Sequence, residues 1–444
     1  MRQDGRMTHM GHGKQLGTER SGTGLMEFTV LVPTSHSEVF QLRSRKGLLF
    51  CSWLRAIAVC AVFIGALVPK NAFSATITWT GGTLSWDTPT NWSSGAVPGA
   101  GDTALFNSIG ADITINMGDT VKSITFTSSG LGSFTISGGP LSLSNSGVIN
   151  IANSAPASTV TETFTAPLTL VGATGGGAYT LKDSDAGGST FDFEGGITGS
   201  AAANKTVTLT LDGAAGTHIG TNIINGGIAD GSNGGNLALK TTGGIWSLNG
   251  SSLYSGGTTI TAGQIIANAG GALGSGNISL SGGTLLLNVS TVTTSANNVT
   301  MNGGTLALQS SASSFSESLG TLTLSSNSTI DFANATGSTI LFSGLAASPS
   351  GILTVDNWSS SDTLAFSSNS GLASFAAGNV QFDINGLDVG GTVLNLGGGE
   401  YAIVAAIPEP HTVAAGVGLL AFIFWKERRR IAGLASLLKR PLAS

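Results

Sequence analysis

Reactive and cationic side chains are nearly absent from most of this chain. Only two cysteines occur in 444 residues, Cys51 and Cys60, and both precede residue 75. The remainder can therefore form neither disulfides nor thiolate metal sites. Between Thr76 and Ala406 there is no arginine, one histidine (His218) and four lysines (Lys122, Lys182, Lys205, Lys240). The same span holds eighteen Asp and Glu, a net charge of −14. Nucleic-acid binding needs a basic footprint, so that class is excluded. With His218 the sole histidine of this span, no Ser-His-Asp set is credible. Lyase chemistry needs a strong base or a cation, and arginine is missing altogether. No Asp-rich calcium loop with nonapeptide spacing is present. No cofactor and no metal is expected.

What remains is rich in Gly, Ser, Thr and Asn, yet strongly patterned. Short β-prone runs recur, among them Ile113-Thr114-Ile115, Thr206-Val207-Thr208-Leu209-Thr210-Leu211, Thr284-Leu285-Leu286-Leu287 and Thr321-Leu322-Thr323-Leu324. Several alternate polar and apolar residues, the period of a half-buried strand. Glycine pairs and Asn/Ser-Gly steps bound them. Three segments align: Ser255-Gly256-Gly257-Thr258-Thr259-Ile260, Ser281-Gly282-Gly283-Thr284-Leu285-Leu286 and Asn302-Gly303-Gly304-Thr305-Leu306-Ala307. Looser copies fall at Ser137-Gly138-Gly139 and Thr242-Gly243-Gly244. A repeat of about 20–26 residues with two or three strands suits one coil of a solenoid, and about a dozen coils would follow. The expected fold is all-β, a right-handed parallel β-helix or solenoid. A β-sandwich or propeller is the alternative.

Two carboxylate pairs sit at i and i+2: Asp183/Asp185 and Asp192/Glu194. Each pair would share a face of an extended strand, as a glycosidase requires of its two acids. Their glycine-rich surroundings favour solvated turn residues instead. Asp212-Gly213 and Asp230-Gly231 also read as turns. Trp79, Trp86 and Trp92 cluster early. They could stack on sugars, but a terminal coil needs an aromatic cap, and that role is favoured. Asn-x-Ser/Thr triplets, including Asn91, Asn249 and Asn288, read mostly as coincidence of composition.

The ends carry address signals. Arg43, Arg45 and Lys46 precede an apolar stretch from Leu48 to Val68, and Ala72-Phe73-Ser74 offers small residues for cleavage between Ser74 and Ala75. This reads as a signal peptide over 43–74, which implies the Sec export machinery as a partner. Residues 1–42 read as an extension from a misassigned start codon, with a genuine long leader as the alternative. At the other end stand Pro408-Glu409-Pro410, an apolar run from Val413 to Trp425, and then Lys426-Glu427-Arg428-Arg429-Arg430. The prolines keep the motif extended, as a processing enzyme requires. The basic cluster Arg428, Arg429 and Arg430 would hold the cytoplasmic side. The apolar run is shorter than the roughly 20 residues that span a bilayer, so local thinning and snorkelling of Lys426 are expected.

This tail resembles the PEP-CTERM sorting signal of Gram-negative bacteria. The resemblance implies export, transient anchoring in membrane lipid through a single helix, and processing by an exosortase-type enzyme at Pro408-Glu409-Pro410. The segment Tyr254 to Leu287, with its core Ala272-Leu273-Gly274-Ser275-Gly276, resembles the autotransporter-associated β-strand repeat. Trp79, Trp86-Asp87, Asn91-Trp92, Val97-Pro98-Gly99, Gly101-Asp102 and Ala104-Leu105-Phe106 resemble the opening module of such proteins. The repeat implies a solenoid and not self-secretion, because a sorting tail stands where an autotransporter carries its membrane barrel.

The expected organisation is therefore a leader over 1–42, a signal peptide over 43–74 and an opening or cap module over 75–110. Solenoid repeats follow over 111–316, C-terminal coils and cap over 317–405, the sorting signal over 406–430 and a short tail over 431–444. The expected function is structural or adhesive at the cell surface or in an extracellular matrix, without enzymatic activity. An exopolysaccharide is a candidate partner, and a carbohydrate-binding or carbohydrate-cleaving β-helix is the alternative.

Overall fold

The computed structural model describes residues 74–127, 132–152, 159–172, 175–214, 220–293, 297–309, 314–333, 337–384, 386–406, 420–424 and 427–428. All of them belong to the unit Asn71–Ser444. Alternation of apolar and polar residues produces strands with one buried and one outward face, and these stack into two long parallel ladders. Among the described residues the first ladder has thirteen parallel rungs, from Thr76–Thr78 to Thr363–Phe366. The second has twelve, from Asp112–Ile115 to Val380–Ile384. The chain visits them alternately, so each circuit adds one rung to each and the fold is a solenoid. At the usual spacing between strands the stack is on the order of 55–60 Å long.

The rungs are in register with the hydrophobic pattern. In the first ladder Ala104, Ile124, Ile149, Leu181 and Leu211 stack inward, and after Thr241 the column resumes with Ile260, Leu280 and Met301. A slip of one residue would turn each of these outward, so the core fixes the register.

The coils differ in length. Leu181 to Leu211 and Leu211 to Thr241 are each 30 residues, whereas Ile260 to Leu280 is 20. The long coils carry a third short ladder built from Leu141–Leu143, Leu168–Val171, Ile197–Ser200 and Ile228–Ala229. The 20–26-residue period expected from the glycine pairs therefore holds only for part of the stack. Core composition follows the width. Phe164, Phe191 and Phe193 fill the long coils and touch Phe126 and Trp246 of the flanking coils, in ring contact at 4.8–6.4 Å. The short ones are filled by Ile265, Leu285 and Leu306. A wider cross-section needs bulkier side chains to reach interior packing density.

The alignment of glycine pairs is corrected by the register. Thr258–Ile260 pairs with Ile278–Leu280 in the first ladder, whereas Thr284–Leu287 pairs with Gln264–Ala267 in the second. Gly256-Gly257 and Gly282-Gly283 therefore occupy different corners. The glycines that stack are Gly244, Gly263, Gly283 and Gly304, whose carbonyls accept the N–H of Gln264, Thr284, Thr305 and Thr329 in turn. A Cβ on Gly263, at φ +74°, would sit 2.5 Å from the Gly244 carbonyl oxygen. Glycine at position 263 is thus required by close backbone approach as well as by φ. A Gly-Gly-Thr signal marks a turn into a strand and does not say which corner.

The resembled repeat also has a physical basis. Tyr254 is buried, and its hydroxyl lies 2.6 Å from that of Thr258. Ala272 and Leu273 are buried in the following turn, and the Ser275 N–H donates to the Tyr254 carbonyl at 3.0 Å. Gly274 has φ +59°, and a Cβ there would meet that carbonyl oxygen at 2.2 Å. Gly274→Ala should cost about 2 kcal/mol or more, because the new Cβ would clash with the Tyr254 carbonyl oxygen and an L-residue would be forced into the left-handed region. Chemical denaturation measures this, and an unchanged midpoint would refute the assignment.

Both ends differ from the interior. At the first, Trp79 bridges to Trp92, and Trp79, Trp86 and Trp92 are all buried. At the other, the helix Leu372–Asn379 precedes a hairpin, Leu387–Gly397 and Glu400–Ala405, whose strands pair antiparallel with each other and with the last rungs. The ladders pass through residue 317 without a break, since Ser316–Leu324 pairs with the strands on both sides of it.

Candidate functional site

The outward faces of the ladders are the surfaces on which a ligand could act. On the first, Thr210, Lys240, Thr259, Ser279, Thr300 and Thr323 form one column, in register from coil to coil. On the second, Gln264, Thr284, Thr305, Thr329, Thr354 and Gln381 form another. The result is two rows of half-exposed hydroxyls and amides at the rung spacing of about 4.8 Å. Such rows both donate and accept hydrogen bonds.

A ladder of asparagines edges the second face. Asn249 donates through Nδ2 to Asn225 Oδ1 at 2.8 Å, Asn268 to Asn249 at 2.9 Å, and Asn288 to Asn268. Asn225 donates in turn to Asp192 at 2.8 Å. Two members, Asn249 and Asn288, head Asn-x-Ser triplets, and their amides are engaged in this stack. Asn91 is also committed: it is buried and bonds Thr83 and Ser85 through four contacts of 2.6–3.1 Å.

The paired carboxylates do not form a sugar-cleaving constellation. Asp183 and Asp185 are fully buried, a correction to their reading as solvated turn residues. Asp183 accepts the Asp185 N–H at 3.0 Å, and Asp185 accepts the Ser189 N–H at 3.1 Å. They hold the turn that follows the strand Gly177–Asp183, because backbone donors at a buried turn need acceptors. Asp192 is half-buried against Asn225, while Glu194 is exposed. Asp212-Gly213 lies inside the strand Thr206–Gly213 and not in a turn. There Asp212 pairs with Lys182 at 3.4 Å and accepts from Thr242 at 3.0 Å. Gly213 is extended because the Gly243-Gly244 backbone packs on it, 2.6 Å from where a Cβ would be. Asp230 does join segments, accepting from the N–H groups of Leu237 and Ser255 and from the Ser255 hydroxyl.

Several carboxyls have displaced pKa values. Burial pushes Glu162 up to about 7, against the hydrogen bond it accepts from the Phe134 N–H. Burial raises Glu317 as well, outweighing hydrogen bonds from Thr293, Val292 and Thr291. Asp119 is pushed to about 6 by burial and then by the hydrogen bond and charge of Asp87. Burial acts upward on Asp87 too, but bonds from Asn116 and Asp119 outweigh it and hold it low. At the last coils Asp331 pairs in register with Asp356, and Asp383 with Asp388. Burial, then the charges of Asp331, Asp383 and Asp388, raise Asp356. Among the described residues no group of three or more His, Cys, Asp or Glu has a geometry that would hold a metal ion.

The three tryptophans offer no open face for a sugar. Trp79 and Trp92 meet edge to face at 5.1 Å, and Trp86 and Trp92 at 4.9 Å. Of the residues in the address signals, Ser74 and Ala75 are exposed, and Thr76 opens the first strand. Pro408, Glu409, Pro410, Arg429, Arg430 and His218 lie outside the described residues. Residues 420–424 and 427–428, which include Arg428, are helical and exposed. No helix among the described residues is long and apolar enough to cross a membrane.

The asparagine ladder and the hydroxyl rows escaped sequence reasoning. A signal existed for the first: Asn225, Asn249, Asn268 and Asn288 each follow the last residue of a strand, 24, 19 and 20 residues apart. Compared with family models, curated proteins and solved structures, the chain matches none.

Proposed function

We infer that this protein is an exported structural or adhesive rod of the cell surface or extracellular matrix, without catalytic activity. The carrying observation is the continuity of the stack. The two ladders run rung by rung from residues 76 and 112 to the terminal hairpin, which ends at Ala405, three residues before Pro408. A capped rod directly followed by a sorting motif is arranged for display. In this reading the coil is right-handed, as parallel crossovers are in nearly all cases. Residues 43–74 are removed after Sec export. Residues 413–425 enter the lipid as one helix, and the exosortase-type enzyme acts at Pro408-Glu409-Pro410.

The test is intact mass and fractionation of the native protein with and without Glu409→Ala. The wild type is expected outside the cell and shorter by its tail, with the variant retained in the membrane. If both keep the tail and fractionate alike, the sorting assignment fails.

A second reading, binding of a neutral polysaccharide, is favoured by the regular hydroxyl rows. Cleavage is not favoured, because the buried acids Asp183 and Asp185 accept hydrogen bonds from their own turn.

A further inference from the structure

Charge is spread unevenly along the stack. The chain as a whole is 10% charged, yet from Thr241 to Ser316 there is no Asp, Glu, Lys, Arg or His. This segment supplies the short coils, so both ladders cross a charge-free belt in an otherwise acidic protein.

On the second ladder the outward face of this belt has three rows. The middle row is Ile223, Ser247, Ile266, Leu286 and Ala307, in register from coil to coil. Ile223, Ile266 and Leu286 are half-buried, and the small Ser247 and Ala307 are buried. Asp192 precedes the row and Asp331 follows it, so a carboxylate marks each end. At the usual rung spacing the two stand about 29 Å apart. Two residues to one side run Gln264, Thr284, Thr305 and Thr329. The three threonines are half-exposed, and their hydroxyls make no hydrogen bond among the described residues. Two residues to the other side runs the asparagine ladder. It fixes its amides in place, while Asn249 and Asn288 each keep one Nδ2 proton uncommitted. The outer rows are about 13 Å apart.

We propose that this face binds a neutral, extended β-1,4-linked glycan lying along the stack, one sugar to a rung. The assignment rests on the polysaccharide reading above and places it on one of the two faces. A β-linked pyranose chain is a ribbon whose ring faces carry C–H groups and whose edges carry hydroxyls. Its C–H face would lie on Ile266 and Leu286, with one edge toward Thr284 and Thr305 and the other toward Asn268 and Asn288. Sugars in such a chain follow one another at close to the rung spacing of about 4.8 Å, so several stay in step. Charge selects the class. An anionic glycan would be repelled by Asp192, Asp331 and the acidic protein as a whole, and a cationic one would be drawn to the aspartates of the last coils. A neutral chain meets neither force. The stripe is aliphatic, so each sugar is held weakly and affinity must accumulate along the row. The fixed amides lower the ordering cost.

Calorimetric titration of the full chain in detergent with cello-oligosaccharides of increasing length tests this. Affinity should rise with length, level off at about five sugars, the span between the two aspartates, and be insensitive to salt. Thr284→Val with Thr305→Val should weaken binding about tenfold or more with an unchanged melting profile, since valine keeps the strand and removes only the hydroxyls. Thr259→Val with Thr300→Val, the matching change on the first face, should leave binding as it was. Loss of binding in the first-face pair alone would keep the polysaccharide reading and overturn this placement. So would binding of malto-oligosaccharides in preference to cello-oligosaccharides. Tighter binding of oligogalacturonate would overturn the neutral class. Binding of none of the three would sink the polysaccharide reading along with the proposal.

Discussion

Trp86→Ala will lower the unfolding free energy by about 3–5 kcal/mol, the range for truncating a buried large aromatic. The indole is fully buried, 4.9 Å from Trp92 and 5.9 Å from Phe106 between ring centres. Trp92 Nε1 donates to the backbone carbonyl of Trp86 at 2.7 Å, a bond that the substitution leaves in place, so the loss is one of ring packing. Among the described residues the first coil has a neighbour on one side only, so it cannot redistribute the loss. Each solenoid unit is stabilised by its neighbours, and a terminal unit that lets go exposes the next. Early proteolysis between Trp79 and Phe106 should accompany the fall in stability. Trp86→Phe is the control. The Trp86 Nε1 has no hydrogen-bond partner, so phenylalanine keeps most of the packing and removes a buried unsatisfied donor. Equal losses for alanine and phenylalanine would mean that the cap is held by something other than ring packing.

The second large effect is a pH dependence opposite in sign to ordinary acid denaturation. Glu162 is 1% exposed and pairs in register with Phe191 inside the core. Its Oε2 accepts the Phe134 N–H at 2.7 Å. Burial raises its pKa from 4.5 to about 7. A carboxyl whose folded pKa lies above its unfolded value stabilises the fold while protonated. That contribution is complete below about pH 4.5 and is lost as pH rises through 7. At 1.36 kcal/mol per unit, the loss is about 3 kcal/mol by pH 8. Asp119, pushed to about 6, moves in the same direction within the same window. Glu162→Gln keeps an acceptor for the Phe134 N–H without a charge to bury. It should therefore match the wild type near pH 4 and exceed it by about 3 kcal/mol at pH 8. Urea midpoints across that range measure both curves. Parallel curves for wild type and variant would show that Glu162 is not the titrating group.

Much of the fold was legible in the chain itself. Alternation in runs such as Thr206–Leu211 and Thr321–Leu324 set strands with one inward face, and the glycine pairs set the turns. These are local properties, since period and φ preference act within a few residues. The cap tryptophans were also legible as a cluster, because three indoles in fourteen residues need a shared interior.

Other features belong to the stack. Whether Gly256-Gly257 and Gly282-Gly283 share a corner depends on which rung lies above which, and only inter-coil hydrogen bonds decide that. Asp183 and Asp185 look like surface acids beside glycines, but their burial follows from a 30-residue coil above and below. The asparagine ladder exists only because coils of unequal length bring Asn225, Asn249, Asn268 and Asn288 to one edge. The strand Leu387–Gly397, which runs antiparallel across the end of both ladders, reads in sequence like any other glycine-bounded run. Sequence alone determined strands and turns, because each is written in neighbouring residues. The tertiary structure decided register, coil width and the burial of acids, because those depend on contacts between residues 20–30 positions apart.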